Sequence, residues 1–194
     1  MKKKIISLLP ATVLFAFIAC NNSGDSVKEA NDSNTVKLDS GTSNNSIPPS
    51  VSEMDSRFMV AVANAGMTEI ELGKLAIQKA QSAKVKAFGQ QMIADHTRAA
   101  NELKAIATSR NVTLPDSLSD KSRKHVEELS GKSGAAFDKA YMNIMVDGHA
   151  DVMKEFDVET KNGSDPEVLR FATNTLPVIK SHADSAEVIK KELK

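Results

Sequence analysis

No tryptophan occurs among the 194 residues, tyrosine occurs once and aromatic side chains make up 4% of the chain. A surface that stacks nucleic-acid bases needs aromatic faces beside a basic patch. The charge supplies no such patch, because 25 basic residues stand against 25 acidic ones, so the composition implies no nucleic-acid partner. A single cysteine, Cys20, excludes any intrachain disulfide. Runs of β-branched residues are few, whereas Ala, Leu, Met, Lys and Glu are frequent, which disfavours strands and favours helices. "SGKSG" is not a phosphate loop, because the Walker pattern needs a glycine where Val126 stands.

The one long apolar run is at the start. Lys2, Lys3 and Lys4 precede Ile5 to Ile18, the charged and apolar regions of a secretory signal, and the run is too short to span a bilayer comfortably. It ends in "FIAC", which resembles the bacterial lipoprotein signal: cleavage leaves Cys20 as the first residue and lipid is attached to its sulfur. Phe17 stands where leucine is more usual. Asn21 after the cysteine resembles outer-membrane sorting. The expected organisation is a signal peptide over 1–19, a lipidated cysteine with a flexible tether over 20–50, and one domain over 51–194. Cleavage removes three lysines and no acids, leaving 22 basic and 25 acidic residues, a net charge of about −3. The tether is expected because Asn21 to Ser50 is rich in Ser, Asn, Asp and Thr and buries too little apolar surface to offset ordering entropy. The expected location is the cell envelope: an outer-membrane lipoprotein whose domain lies in the periplasm or at the surface, with the membrane as partner through Cys20.

From Val51 onward the apolar residues fall on helical spacing. Phe58, Val62, Ala65, Leu72 and Ala76 mark a first segment, and Val85, Phe88, Met92, Ala99, Leu103 and Ile106 a second. Pro115 interrupts, and Ser119 or Asp120 caps a short helix through about Leu129. A third segment, about Ser133 to Lys161, carries Met142, Met145, Val152 and Phe156 on one stripe. Gly163 stops it. Ser164 and Glu167 at capping-box spacing open the final segment, which Pro177 is expected to kink. Four long helices, hairpin links at Gln81 and Gly163 and a short helix in the middle connection make an all-α, up-down four-helix bundle.

Each long segment has one ionisable residue on its apolar stripe: Glu69, His96, His149 and His182. At about 1.5 Å of rise per residue, counting from Gln81 puts Glu69 and His96 roughly 4.5 Å apart in height, while counting from Gly163 leaves His149 and His182 roughly 7.5 Å apart. A buried carboxylate needs a cation or donors. Carboxylate and imidazole together suit Fe, Cu or Zn, and Met92 and Met145, one turn from His96 and His149, add thioethers that would suit Cu(I). Asp95, Asp147 and Asp151 are candidate acceptors for the far ring nitrogens. His125, in "KSRKHVEEL", reads as solvated. A metal-free reading stands beside this one: a Glu69–His96 hydrogen bond satisfies that pair, and methionine on a helical stripe is ordinary core filling.

"FMVAVANAGMTEIELGKLAIQKAQSAKVKAFGQQMIADH", the "LP" at Leu114 and Pro115, "FDKAYMNIMVDGH" and "FATNTLPVIKSH" together resemble the bacterial family known as domain of unknown function 4142, over nearly all of Ser52 to Leu193. The resemblance implies a ferritin-like helical bundle, typically in exported proteins, with no established activity. It places the family's inward histidines on His96, His149 and His182 and its first-helix acid on Glu69. Ferritin-like di-iron enzymes use two Glu-x-x-His pairs, but here Ile93, Val146 and Ile179 stand three residues before the histidines. A di-iron oxidase is therefore disfavoured. No nucleophile and base occur at useful spacing either, so the residues favour a metal-binding or a structural envelope module over an enzyme.

Overall fold

The computed structural model describes residues 24–39 and 51–193; the signal run and Cys20 lie outside them. Among these residues there are six helices and no strand: α1 (Ser26–Asp39), α2 (Glu53–Lys79), α3 (Ala83–Ser109), α4 (Asp120–Ser130), α5 (Gly134–Asn162) and α6 (Pro166–Glu192). The long helices α2, α3, α5 and α6 form the bundle, with links at Gln81 and Gly163 where the spacing predicts them.

The caps explain where the helices begin. Ser52 and Asp55 form a capping box that opens α2, and the Ser119 hydroxyl accepts from Ser122 N at the start of α4. At α6 the cap is Asp165 rather than Ser164, because the Asp165 carboxylate accepts from both Glu167 N and Val168 N, with Pro166 in the first turn. Ser164 points elsewhere: its backbone N–H and its hydroxyl both donate to Asp55, at 2.9 and 2.7 Å. Helix α6 continues through Pro177, which lies on its exposed side.

End-to-end contacts define the topology. Asp165 at the start of α6 binds Arg110 at the end of α3 at 2.6 Å, whereas Lys84 at the start of α3 meets Glu192 at the end of α6 at 2.6 Å. Asp138, early in α5, accepts from Gln81 N and Ser82 N at the α2–α3 turn. Helices α3 and α5 therefore run in the same direction, and the connection carrying α4 crosses the length of the bundle, as in ferritin-like folds.

Helix α1 corrects the expected tether over this stretch. Its polar composition does not prevent docking, because its side chains satisfy exposed backbone in the α3–α4 connection. Asn34 donates to Thr113 O at 2.9 Å and accepts from Thr113 N at 2.7 Å, Ser26 donates to Ser117 O, and Lys37 donates to Asn111 O at 3.0 Å. Ala30 supplies a buried apolar contact.

The core is divided. One apolar cluster gathers Phe58, Leu103, Ile106, Phe156 and Phe171, with Phe58 edge-on to Phe156 at 5.0 Å. The other gathers Leu72, Phe88, Met92, Phe137, Tyr141 and Met145. Along each long helix the residue between the two clusters is Glu69, His96, His149 or His182, so a polar layer separates two apolar cores.

The first of these cores is closed at its end by a carboxyl pair. Asp55 is buried and held by Ser52 and Ser164. Burial acts to raise its pKa, but the hydroxyl and amide donors outweigh burial and hold it at about 2. Glu159 is equally buried, and neither carboxylate oxygen has a donor. Burial, then the contact with Asp55 and its charge, push its pKa up to about 8. Folded protein thus keeps a proton on Glu159 that the unfolded chain releases near the ordinary 4.5, so this group's stabilisation is present below about pH 4.5 and is lost as pH rises to about 8. Asp55 acts oppositely, its contribution fading only as pH falls from its ordinary 3.8 towards 2. The expected result is a thermal midpoint that declines between pH 5 and 8, with the decline made shallower in Glu159→Gln, as measured by calorimetry across that range.

Candidate metal centre

Two glycines set the closeness of α2 and α3. A Cβ on Gly73 would lie 2.8 Å from Gly89 O, and one on Gly89 would lie 2.8 Å from the Ala76 Cβ, so the backbones approach as only glycine permits. Glu69 lies one turn before Gly73, and His96 lies two turns after Gly89. Their side chains meet across this tight pair: His96 Nε2 is 3.0 Å from Glu69 Oε2.

The other carboxylate oxygen, Oε1, lies 3.4 Å from His149 Nδ1 on α5. His182 arrives from α6, its ring centroid 5.3 Å from that of His96 and 5.5 Å from that of His149. Counted from the helix ends rather than from the turn residues, Glu69 and His96 are offset by three residues, and so are His149 and His182. The loop residues Gly163 to Asp165 add no rise along the axis, so the expected 7.5 Å mismatch shrinks to about 4.5 Å. One nitrogen from each of His96, His149 and His182 lies within 4.8 Å of the others. Glu69 stands beside this group as its anion. All four residues are buried, His149 and His182 completely.

One ring nitrogen of His149 and one of His182 are tied down. His149 Nδ1 is 2.8 Å from the Met145 carbonyl, which can only accept, so Nδ1 carries a proton. His182 Nε2 donates to Asp95 Oδ2 at 2.9 Å. His149 Nε2 and His182 Nδ1 are left buried with no hydrogen-bond partner. Of the three expected acceptors, Asp95 serves, though for His182 and not for its neighbour His96. Asp147 is exposed, and Asp151 pairs with Lys154 at 2.8 Å. Met92 and Met145 belong to the apolar cluster, and Met145 reaches the centre through its carbonyl. His125, on α4, is half-buried and stands apart from the triad.

The electrostatics follow from the packing. Burial acts to raise the Glu69 pKa, but the charge and contact of His96, with His149 and His182 behind it, hold it below the ordinary range. Burial likewise acts to lower His96, and the Glu69 charge outweighs it, leaving His96 raised. His182 is lowered, by burial first and then by the other two imidazoles, against the pull of Asp95. Tyr141 is pushed up by burial and by the Glu69 charge, and its hydroxyl is buried without a partner.

Such a set fits a metal. Ligating histidines commonly donate their far N–H to a carboxylate or backbone carbonyl, as His182 and His149 do here. Two donors about 2.1 Å from one ion are at most about 4.2 Å apart, so a triad within 4.8 Å is close to that spacing.

The model of a domain of unknown function (DUF4142) matches residues 40–189. The chain belongs to that family. Helix α1 lies ahead of the matched span, which covers all four bundle helices except the end of α6. Similar solved structures include the crystal structure of a DUF305 fragment from Deinococcus radiodurans, with a TM-score of 0.66, 12% identity, 74% of this chain covered and 99% of that one. They also include CopM in its Cu(II)-bound form, with a TM-score of 0.59, 14% identity and 72% and 97% covered. At such identities the likeness is one of fold, a ferritin-like helical bundle. The comparison with curated proteins finds no match.

The role of the Met145 carbonyl was invisible in the sequence, since any residue four before a helical histidine offers one. The Asp95–His182 bond required knowing which way α3 faces α6. Because Glu69 and His96 answer each other in a buried site, removing one partner leaves the other exposed to the full cost of burial. Glu69→Gln is expected to cost about 3 kcal/mol. Adding His96→Gln should cost less than the sum of the two single changes, by at least about 1 kcal/mol in a denaturant double-mutant cycle.

Proposed function

We propose that this chain is an exported, membrane-anchored lipoprotein whose helical bundle binds one metal ion on His96, His149 and His182, with Glu69 supplying the balancing negative charge. The observation that carries the metal reading is that His149 and His182 each commit one ring nitrogen to a fixed acceptor and leave the other buried and unpartnered within the triad. Empty buried acceptors are costly, and a cation answers them.

Three imidazoles suit Cu, Zn or Fe, and the likeness to a copper-bound bundle makes Cu(II) the first ion to offer. The ion would be held as a Lewis acid or redox centre. What the chain's own residues do is fix the rings: Met145 and Asp95 set the orientation of His149 and His182, Glu69 holds His96, and the two apolar clusters pack above and below the layer. Without paired Glu-x-x-His motifs the centre is a binding site rather than a di-iron oxidase. A second reading, a structural envelope module, gains support from the Glu69 contacts with His96 and His149, which compensate much of the buried charge without a metal.

Purified protein without an affinity tag is expected to take up about one equivalent of Cu(II), and His149→Ala with His182→Ala to take up none. Asp95→Asn should weaken binding roughly 10- to 100-fold. Less than a tenth of an equivalent of Cu, Fe or Zn in the wild type, by elemental analysis after each is offered, would leave the structural reading standing. Among the described residues no helix is long and apolar enough to cross a membrane; the attachment proposed is the lipid on Cys20. Cys20→Ser is expected to move the protein from the membrane fraction to the soluble fraction of fractionated cells, and retention in membranes would contradict the anchor.

A further inference from the structure

Gly148 has no packing reason to be glycine. An interior glycine weakens a helix, and Gly73 and Gly89 justify that loss by close backbone approach. Gly148 sits in the middle of α5, its backbone dihedrals are unremarkable, and a Cβ placed there would meet nothing within 4 Å. It immediately precedes His149, and it lines a cleft of about 700 Å³ between α2, α4 and α5.

That cleft reaches the carboxylate of the centre and none of its three imidazoles. Glu69, whose carboxylate touches both His96 and His149, lies on its wall. Asp25, Asp147, Asp151 and Glu155 also line it, against Lys121 and His125. Lys154 offsets Asp151, and the excess is still negative. A divalent ion with six waters occupies roughly 200 Å³ at about 30 Å³ per water, well within this volume. The competing opening, between α3 and α6, measures about 220 Å³ and is lined by His96 and His182. It is guarded by Asp95, which is bonded to both His182 and Arg98, and of its two acids, Asp95 and Glu102, Arg98 offsets one, so its negative excess is smaller.

We infer that the cleft beside Gly148 is the route by which a cation reaches the histidine triad, arriving first at Glu69, and that the missing side chain at 148 keeps this route open. The inference rests on the metal reading. It assigns Gly148 a role in access and none in ligation, so equilibrium binding and the rate of binding separate the two ideas.

The test is stopped-flow loading with Cu(II) chloride, followed by release into excess EDTA. The proteins are the wild type, Gly148→Leu, Gly148→Trp and, for the other opening, Val178→Trp, with folding of each checked by circular dichroism and thermal melting. The expected result is one equivalent bound by every protein, loading and release both at least 10-fold slower in Gly148→Trp, a smaller slowing in Gly148→Leu, and wild-type rates in Val178→Trp. Folded Gly148 variants that load at the wild-type rate overturn the route while leaving the centre intact, as does a slowing confined to Val178→Trp. A wild type that retains no copper overturns the metal reading itself, and the route with it.

Discussion

A carboxylate in the middle of a helical bundle has to be answered, and the arrangement around Glu69 follows from that requirement. Taking an ion out of water costs several kcal/mol even after the protein relaxes. His96 and His149 answer Glu69 directly, at 3.0 and 3.4 Å. His182 closes the group from the fourth helix and is itself answered by Asp95. Four ionisable side chains, one from each long helix, therefore sit in a single layer, and the apolar core divides into one cluster on either side of it.

The remaining features serve the register of that layer. Gly73 and Gly89 bring α2 and α3 close enough for Glu69 to touch His96. Asp55 ties the α5–α6 turn to the start of α2, and Arg110 ties the end of α3 to Asp165 at the start of α6. At the opposite end Asp138 holds the α2–α3 turn. Each hairpin is thereby pinned to its neighbour at both ends, and a slip of one turn, about 5.4 Å, would break the layer. The crossover through α4 lets α3 and α5 run in the same direction, and α1 covers the polar backbone that this crossover leaves exposed.

Much of this was legible in the sequence, because helical period alone places an inward residue between apolar neighbours. Glu69, His96, His149 and His182 could be named on that basis, as could both hairpin turns and the short α4. The α6 cap was read one residue early: Ser164 and Asp165 are both good capping residues, and only the demand of Asp55 for donors assigns Ser164 away from the helix. Helix α1 was missed because it docks through hydrogen bonds from Ser26, Asn34 and Lys37, which leave no apolar period to detect. The unpartnered nitrogens on His149 and His182 were equally hidden, since they depend on ring orientation and on acceptors from the same turn or the facing helix.

The ferritin-like scaffold is therefore used here without the paired Glu-x-x-His ligands of di-iron enzymes, and its centre is built mainly of imidazole. The measurement that tests this most directly is a crystal structure of the copper-soaked protein with anomalous differences recorded at the copper edge. The account predicts a single strong peak in the polar layer, about 2.0 to 2.1 Å from one nitrogen of each of His96, His149 and His182, with the Asp95 and Met145 contacts retained. A polar layer without a peak, or copper found only at surface groups such as His125, would contradict it.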